Sequence, residues 1–79
     1  MKLLDWDATE ARAKTLPNDA LLYSIADCLA ASRAAAQLEK AGTLGYEAKS
    51  EGYYHDEISV YRRELKRRRQ VKFEASRHT

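Results

Sequence analysis

One proline and three glycines punctuate this chain, and their positions constrain the fold more than any other feature. Pro17 ends or interrupts whatever helix precedes it, because the residue before a proline is pushed out of helical geometry. Gly42 and Gly45 frame a stretch without sustained periodicity, Gly-Thr-Leu-Gly-Tyr-Glu-Ala-Lys-Ser over 42–50, which reads as a loop. Gly52 follows at once, and no breaker stands after it. The chain is thus cut into a short opening segment and two long uninterrupted ones. Ala, Leu, Glu, Lys and Arg make up more than half of the residues, while Val, Ile, Thr and Phe are scarce, so the uninterrupted segments favour helix over strand.

Periodicity agrees. Leu22, Ile25, Leu29, Ser32 and Ala36 recur at spacings of 3 and 4, a stripe broadened by Leu21, Cys28, Ala35 and Leu38. The spacing predicts a helix over about 18–41, with Asn18 as its N-cap, Asp19 at its positive end and Gly42 closing it in a left-handed conformation. About 23 residues make a rod of roughly 35 Å. Tyr54, Ile58, Tyr61 and Leu65 repeat the pattern and predict a second helix over about 51–74, capped by Ser50, with residues 75–79 a frayed tail. Asp7, with Glu10 three residues on, predicts a short helix over about 7–14.

Two rods of matched length joined by a nine-residue loop make an antiparallel hairpin. The expected fold is therefore all-α and a single domain. The tyrosines of the second rod should meet the alanine-rich half of the first, large against small. At the other end Leu21, Leu22 and Ile25 face the continuation of the second stripe through Arg68 and Lys72, and need cover. Leu3, Leu4 and Trp6 folding back, Val71 and Phe73, or a second copy of the chain would supply it. A 79-residue chain with one cysteine has a small core and no internal disulfide, so a homodimer with a four-helix arrangement is expected.

Charge is distributed unevenly. Residues 59–79 hold eight Lys or Arg against two acids, whereas residues 1–58 hold six against ten. The densest run contains Arg62, Arg63, Lys66, Arg67, Arg68, Arg69 and Lys72 within eleven helical residues. Such density repels itself unless counterions or a partner supply negative charge. Nucleic acid is the first expectation, because arginine grips phosphate oxygens bidentately. About six phosphate contacts would give a log-affinity against log-salt slope near −5, by the ~0.9 per phosphate rule. An acidic protein surface is the alternative, and a merely solvated helix end is the plain reading.

Four of the five tyrosines, Tyr46, Tyr53, Tyr54 and Tyr61, fall between 46 and 61. Tyr54 and Tyr61 lie on the stripe and belong to the core; Tyr46 and Tyr53 are candidates for protein contact. Cys28 has no neighbouring base and reads as a small buried filler. His55 stands beside Asp56 and Glu57, but consecutive helical residues diverge, and His55 with Glu51 is too few ligands for a metal. No nucleophile–base pair, phosphate-cradling glycine loop or carboxylate dyad is visible, so neither catalysis, cofactor nor small-molecule substrate is expected. The absence of a long apolar run and of a secretion signal, with one lone thiol, predicts a cytoplasmic protein without membrane contact. The expected function is that of a small non-catalytic binding or regulatory protein.

Overall fold

In the computed structural model the backbone is described for residues 2–77 and the side chains for residues 2–72. Among the described residues the chain forms three helices and no strand: α1 (Trp6–Thr15), α2 (Asn18–Ala41) and α3 (Glu51–Arg77). The helices α2 and α3 pack along each other as the expected hairpin, and α1 leans on α3 rather than on α2. Asp5, Ala8 and Thr9 border Tyr53, while the carbonyls of Ala13 and Lys14 meet Arg68. So α1 runs beside α3 in the same direction.

Each helix end has a local cause. The first is capped by Asp5, not by Asp7: the Asp5 carboxylate accepts the Ala8 amide at 3.1 Å, and its carbonyl accepts the Thr9 amide at 3.0 Å. Capping two residues earlier than expected leaves Asp7 in the first turn, where its charge suits the helix dipole, and tucks the preceding Leu4 into the core. Leu16 turns extended before Pro17 and ends α1. Pro17, also extended, starts α2, and its carbonyl accepts the Leu21 amide at 3.0 Å. Asn18 is therefore already helical and does not cap; its side-chain oxygen is taken by Arg68 instead.

At the far end Gly42 adopts φ 72°, its amide donating to the Glu39 carbonyl while the Thr43 amide donates to that of Leu38. This paired closure satisfies two orphan carbonyls and needs a left-handed residue. Nothing lies within 4 Å of a Cβ placed there, so the cost of a side chain is conformational, not steric. Gly42→Ala is accordingly expected to destabilise by about 1 kcal/mol, read as a drop in melting temperature of about 4–8 °C. Gly42→Asn should cost less, since asparagine tolerates this conformation. Ser50 then caps α3 as expected, accepting the Tyr53 amide at 3.2 Å, and the Glu39 carboxylate accepts the Glu51 amide at 3.3 Å.

The core comprises Leu4, Ala13, Leu21, Cys28, Ala35, Ile58, Val60 and Tyr61. The buried line on α2 is Leu21, Cys28, Ser32 and Ala35, so the helix is turned by about one residue from the expected stripe, and Leu22 is 59 % exposed. The rotation presents small residues to α3, which lets Tyr61 sit fully buried in the same cluster. Of the three N-terminal apolar residues proposed as cover, Leu4 is buried while Leu3 and Trp6 are exposed. Val71 is exposed too, and the Phe73 side chain lies outside the described residues. On α3 the helix continues to Arg77, past the expected end at 74; residues 78 and 79 of the expected tail lie outside the described ones. No described helix is long and apolar enough to cross a membrane.

Candidate functional site

Six of the seven cations of the basic run divide into two groups. Arg63, Arg67 and Arg68 turn toward α1 and are paired. Arg63 meets Glu10 at 3.3 Å, and Glu64 receives both Arg67 at 2.6 Å and Arg68 at 2.7 Å. Glu64 is buried, which α3 enforces by placing it beside Val60 and Tyr61 on the inward arc. The hydrogen bonds from Arg67, and then Arg68, overcome its burial and hold the carboxyl down at about 2. The same contact raises Arg67 above its ordinary value.

Arg68 does more than neutralise Glu64. Its remaining N–H groups donate to Asn18 at 2.8 Å and to the carbonyls of Ala13 and Lys14 at 3.1 and 3.3 Å. Those carbonyls belong to the last turn of α1, where backbone donors run short: Ala13 also accepts the Leu16 amide, at 3.2 Å. One guanidinium thus closes α1, holds the start of α2 and anchors both to α3. Arg68, expected as a binding residue, is built into the fold.

A second polar group sits where α1 and α2 part over α3. Tyr61 donates its hydroxyl to Glu57 at 2.6 Å, and Arg12 donates both to that hydroxyl and to Glu57, the latter at 3.2 Å. The hydrogen bond from Arg12 to Tyr61 raises the guanidinium further, while burial, with the bond to Glu57, pushes the Tyr61 phenol up to about 12. Cys28 borders the same cleft. Burial, reinforced by the Glu57 charge, raises its thiol to about 11, so it stays protonated at neutral pH and is a poor nucleophile. Among the described residues no group of three or more His, Cys, Asp or Glu could hold a metal ion.

Arg62, Lys66 and Arg69 form the other group. All three are exposed, and among the described residues they make no ion pair. Spacings of 4 and 3 put them on one face of α3, over about 10 Å of its length. Lys72 is exposed as well but has a contact of its own. Comparison of the chain with family models, with curated proteins and with solved structures finds no match. Function has to be argued from this surface alone.

Helical phase says what surrounds the unpaired cations. On α2, Ser24, Asp27 and Ala31 border the cleft with Arg12 and so look toward α1. Ile25, Leu29 and Ala36 lie on the other side of Cys28 and are half-buried, with Leu22 beyond them. On α3, Ile58 and Leu65 continue to that same side. The hairpin therefore shows, away from α1, an apolar seam: Leu22, Ile25, Leu29 and Ala36 from one helix, Ile58 and Leu65 from the other. Arg62, Lys66 and Arg69 border it on α3, and Arg33 and Lys40, exposed and likewise without an ion pair among the described residues, border it on α2.

Sequence reasoning missed Arg33 and Lys40 because no charge run marks them. Their signal is positional: they stand seven apart, each four residues after an apolar seam member, Leu29 or Ala36. The tyrosine candidates are not gathered there. Tyr46 is 82 % exposed in the loop, whereas Tyr53 is half-buried toward the start of α1. The Lys49 ammonium lies 5.0 Å from the Tyr53 ring, which also meets Tyr54 edge-on at 6.0 Å.

Proposed function

We propose that this protein is a non-catalytic docking module that receives an anionic protein partner on the face of the hairpin opposite α1. One observation carries the proposal: the four ion pairs among the described residues lie on the α1 side or within the α3 arc facing it, and five cations outside those pairs, Arg33, Lys40, Arg62, Lys66 and Arg69, flank an apolar seam on the other. Cations held apart by apolar surface favour a partner that offers acidic rims and an apolar middle. Phosphates have no use for the middle.

Nucleic acid, the first expectation from the charge run, stays as a second reading because Arg62, Lys66 and Arg69 share one exposed face of α3. Three free cations in place of six lower its expected salt slope to about −3. The homodimer is likewise a proposal, and charge directs it elsewhere. Pairing this face with its own copy would set five cations against five.

Affinity capture from a cell extract, with and without nuclease, tests the choice. The expected result is capture that survives nuclease, is lost in an Arg62→Glu, Lys66→Glu, Arg69→Glu triple variant, and persists in a Lys14→Glu control on α1. Capture abolished by nuclease, with a salt slope of about −3 on duplex DNA, would replace protein docking by nucleic-acid binding.

A further inference from the structure

We infer that the seam between α2 and α3 seats an acidic amphipathic helix of about four turns. The inference rests on the docking function proposed above and adds the shape and chemistry of the partner. Along α2 the seam runs from Leu22 to Ala36, which is about 21 Å at the helical rise, the length of some 14 residues.

Its relief matters as much as its length. Ile25, Leu29, Ala36 and Leu65 are half-buried and Ile58 is buried, so the middle is recessed between two helical ridges. A rounded rod can enter such a groove and lay an i, i+3, i+4, i+7 stripe along it, completing a layer of three helices. A flat bilayer would reach Leu22 but not the recessed residues, and among the residues whose side chains are described no large aromatic stands on this face to anchor one.

Charge then selects among rods. The two borders carry Arg33 and Lys40 on α2 and Arg62, Lys66 and Arg69 on α3, against two acids among the described residues, Glu39 and Glu51, both at the loop end. A helix seated between them meets cations along both flanks, so Asp or Glu on either side of its apolar stripe is favoured and Lys or Arg is rejected. This bars a second copy's basic helix and admits an acidic one.

The test uses the full chain and three labelled probes read by fluorescence anisotropy at about 50 mM salt. The first is a synthetic 15-residue peptide with leucines at helical spacing and glutamates on both flanks. The second has the same composition with the leucines scattered, and the third is polyglutamate. The patterned peptide is expected to bind at least about tenfold tighter than the scattered one and to gain helical circular dichroism on binding. Leu22→Gln should remove about that tenfold for the patterned peptide and leave polyglutamate binding unchanged. Arg62→Glu should weaken all three. Equal binding of both peptides would overturn the helix-in-seam inference while leaving docking by charge intact. Binding of none of the three, with duplex DNA bound under the same conditions, would overturn the docking function itself. Uptake by anionic phospholipid vesicles that depends on Leu22, without preference between the peptides, would overturn the inference in favour of a membrane surface.

Discussion

Tyr61→Ala is expected to destabilise the fold by about 3–5 kcal/mol. Tyr61 and Leu21 are the largest fully buried side chains, and Tyr61 stands where α1, α2 and α3 come together. Emptying an aromatic site costs about 3–5 kcal/mol. A chain of 79 residues has roughly 4–12 kcal/mol in total at ~0.05–0.15 kcal/mol per residue, so the loss takes between about a quarter and all of the margin. The hydroxyl makes a separate and smaller contribution. Tyr61→Phe keeps the ring but removes the donor to Glu57 and the acceptor of Arg12. Because Arg12 still pairs with Glu57, the loss should be near 1 kcal/mol. Urea titration followed by circular dichroism separates the two. Equal destabilisation by Phe and Ala would mean that the polar contacts, not the buried ring, hold this junction.

Arg68→Ala is the second large effect, and it distinguishes a structural arginine from a binding one. The substitution removes hydrogen bonds to Glu64, Asn18 and two α1 carbonyls at once. Glu64 keeps Arg67 and the Ala13 carbonyl keeps the Leu16 amide, which limits the damage, but the Lys14 carbonyl loses its Arg68 donor. A loss of about 2–4 kcal/mol is expected. Arg68→Lys should recover less than half, since a single ammonium cannot fork to three elements. The same cluster dictates the acid response. Glu64 has its carboxyl lowered from an ordinary 4.5 to about 2. Its contribution is therefore present in full above about pH 5, and is lost as pH falls through that interval toward 2. Melting temperatures measured from pH 2 to 7 should decline in this window for the natural chain, and Glu64→Gln should lack that part of the decline. By contrast Arg62→Ala, Lys66→Ala and Arg69→Ala should each leave stability within about 0.5 kcal/mol.

Much of the fold was legible because it depends on local signals. Pro17, Gly42, Ser50 and the loop between the long helices act within a few residues, and each ends or starts a helix as the chain pattern implies. The rotation of α2 was not legible. Leu21 and Leu22 are adjacent and equally apolar, so periodicity alone could not choose between two stripes offset by one residue. The choice is made by α3, whose Tyr61 needs small residues opposite it. The two N-terminal aspartates pose the same ambiguity, and burial of Leu4 decides for Asp5.

The candidate surface was half legible. A run of cations is plain in one dimension, but which of them are spent internally depends on where α1 lies, and nothing in residues 62–72 announces Glu10, Asn18 or the carbonyls of Ala13 and Lys14 as their partners. Tyr53, an aromatic near a loop edge, has neighbours inside the fold, Lys49 and Tyr54, that its place in the sequence does not single out. Cys28 was read correctly, since no base adjoins it in the sequence and burial keeps its thiol protonated.

The lopsided placement of the ion pairs bears on how such a chain can evolve. The ion pairs that fasten the helices lie toward α1, whereas Arg33, Lys40, Arg62, Lys66 and Arg69 lie on the other flank and make no ion pair among the described residues. Under the docking function proposed above, drift at residues 33, 40, 62, 66 and 69 would alter specificity, even invert its polarity, without disturbing the ion pairs of the scaffold. On that proposal, a changing target could be followed one substitution at a time.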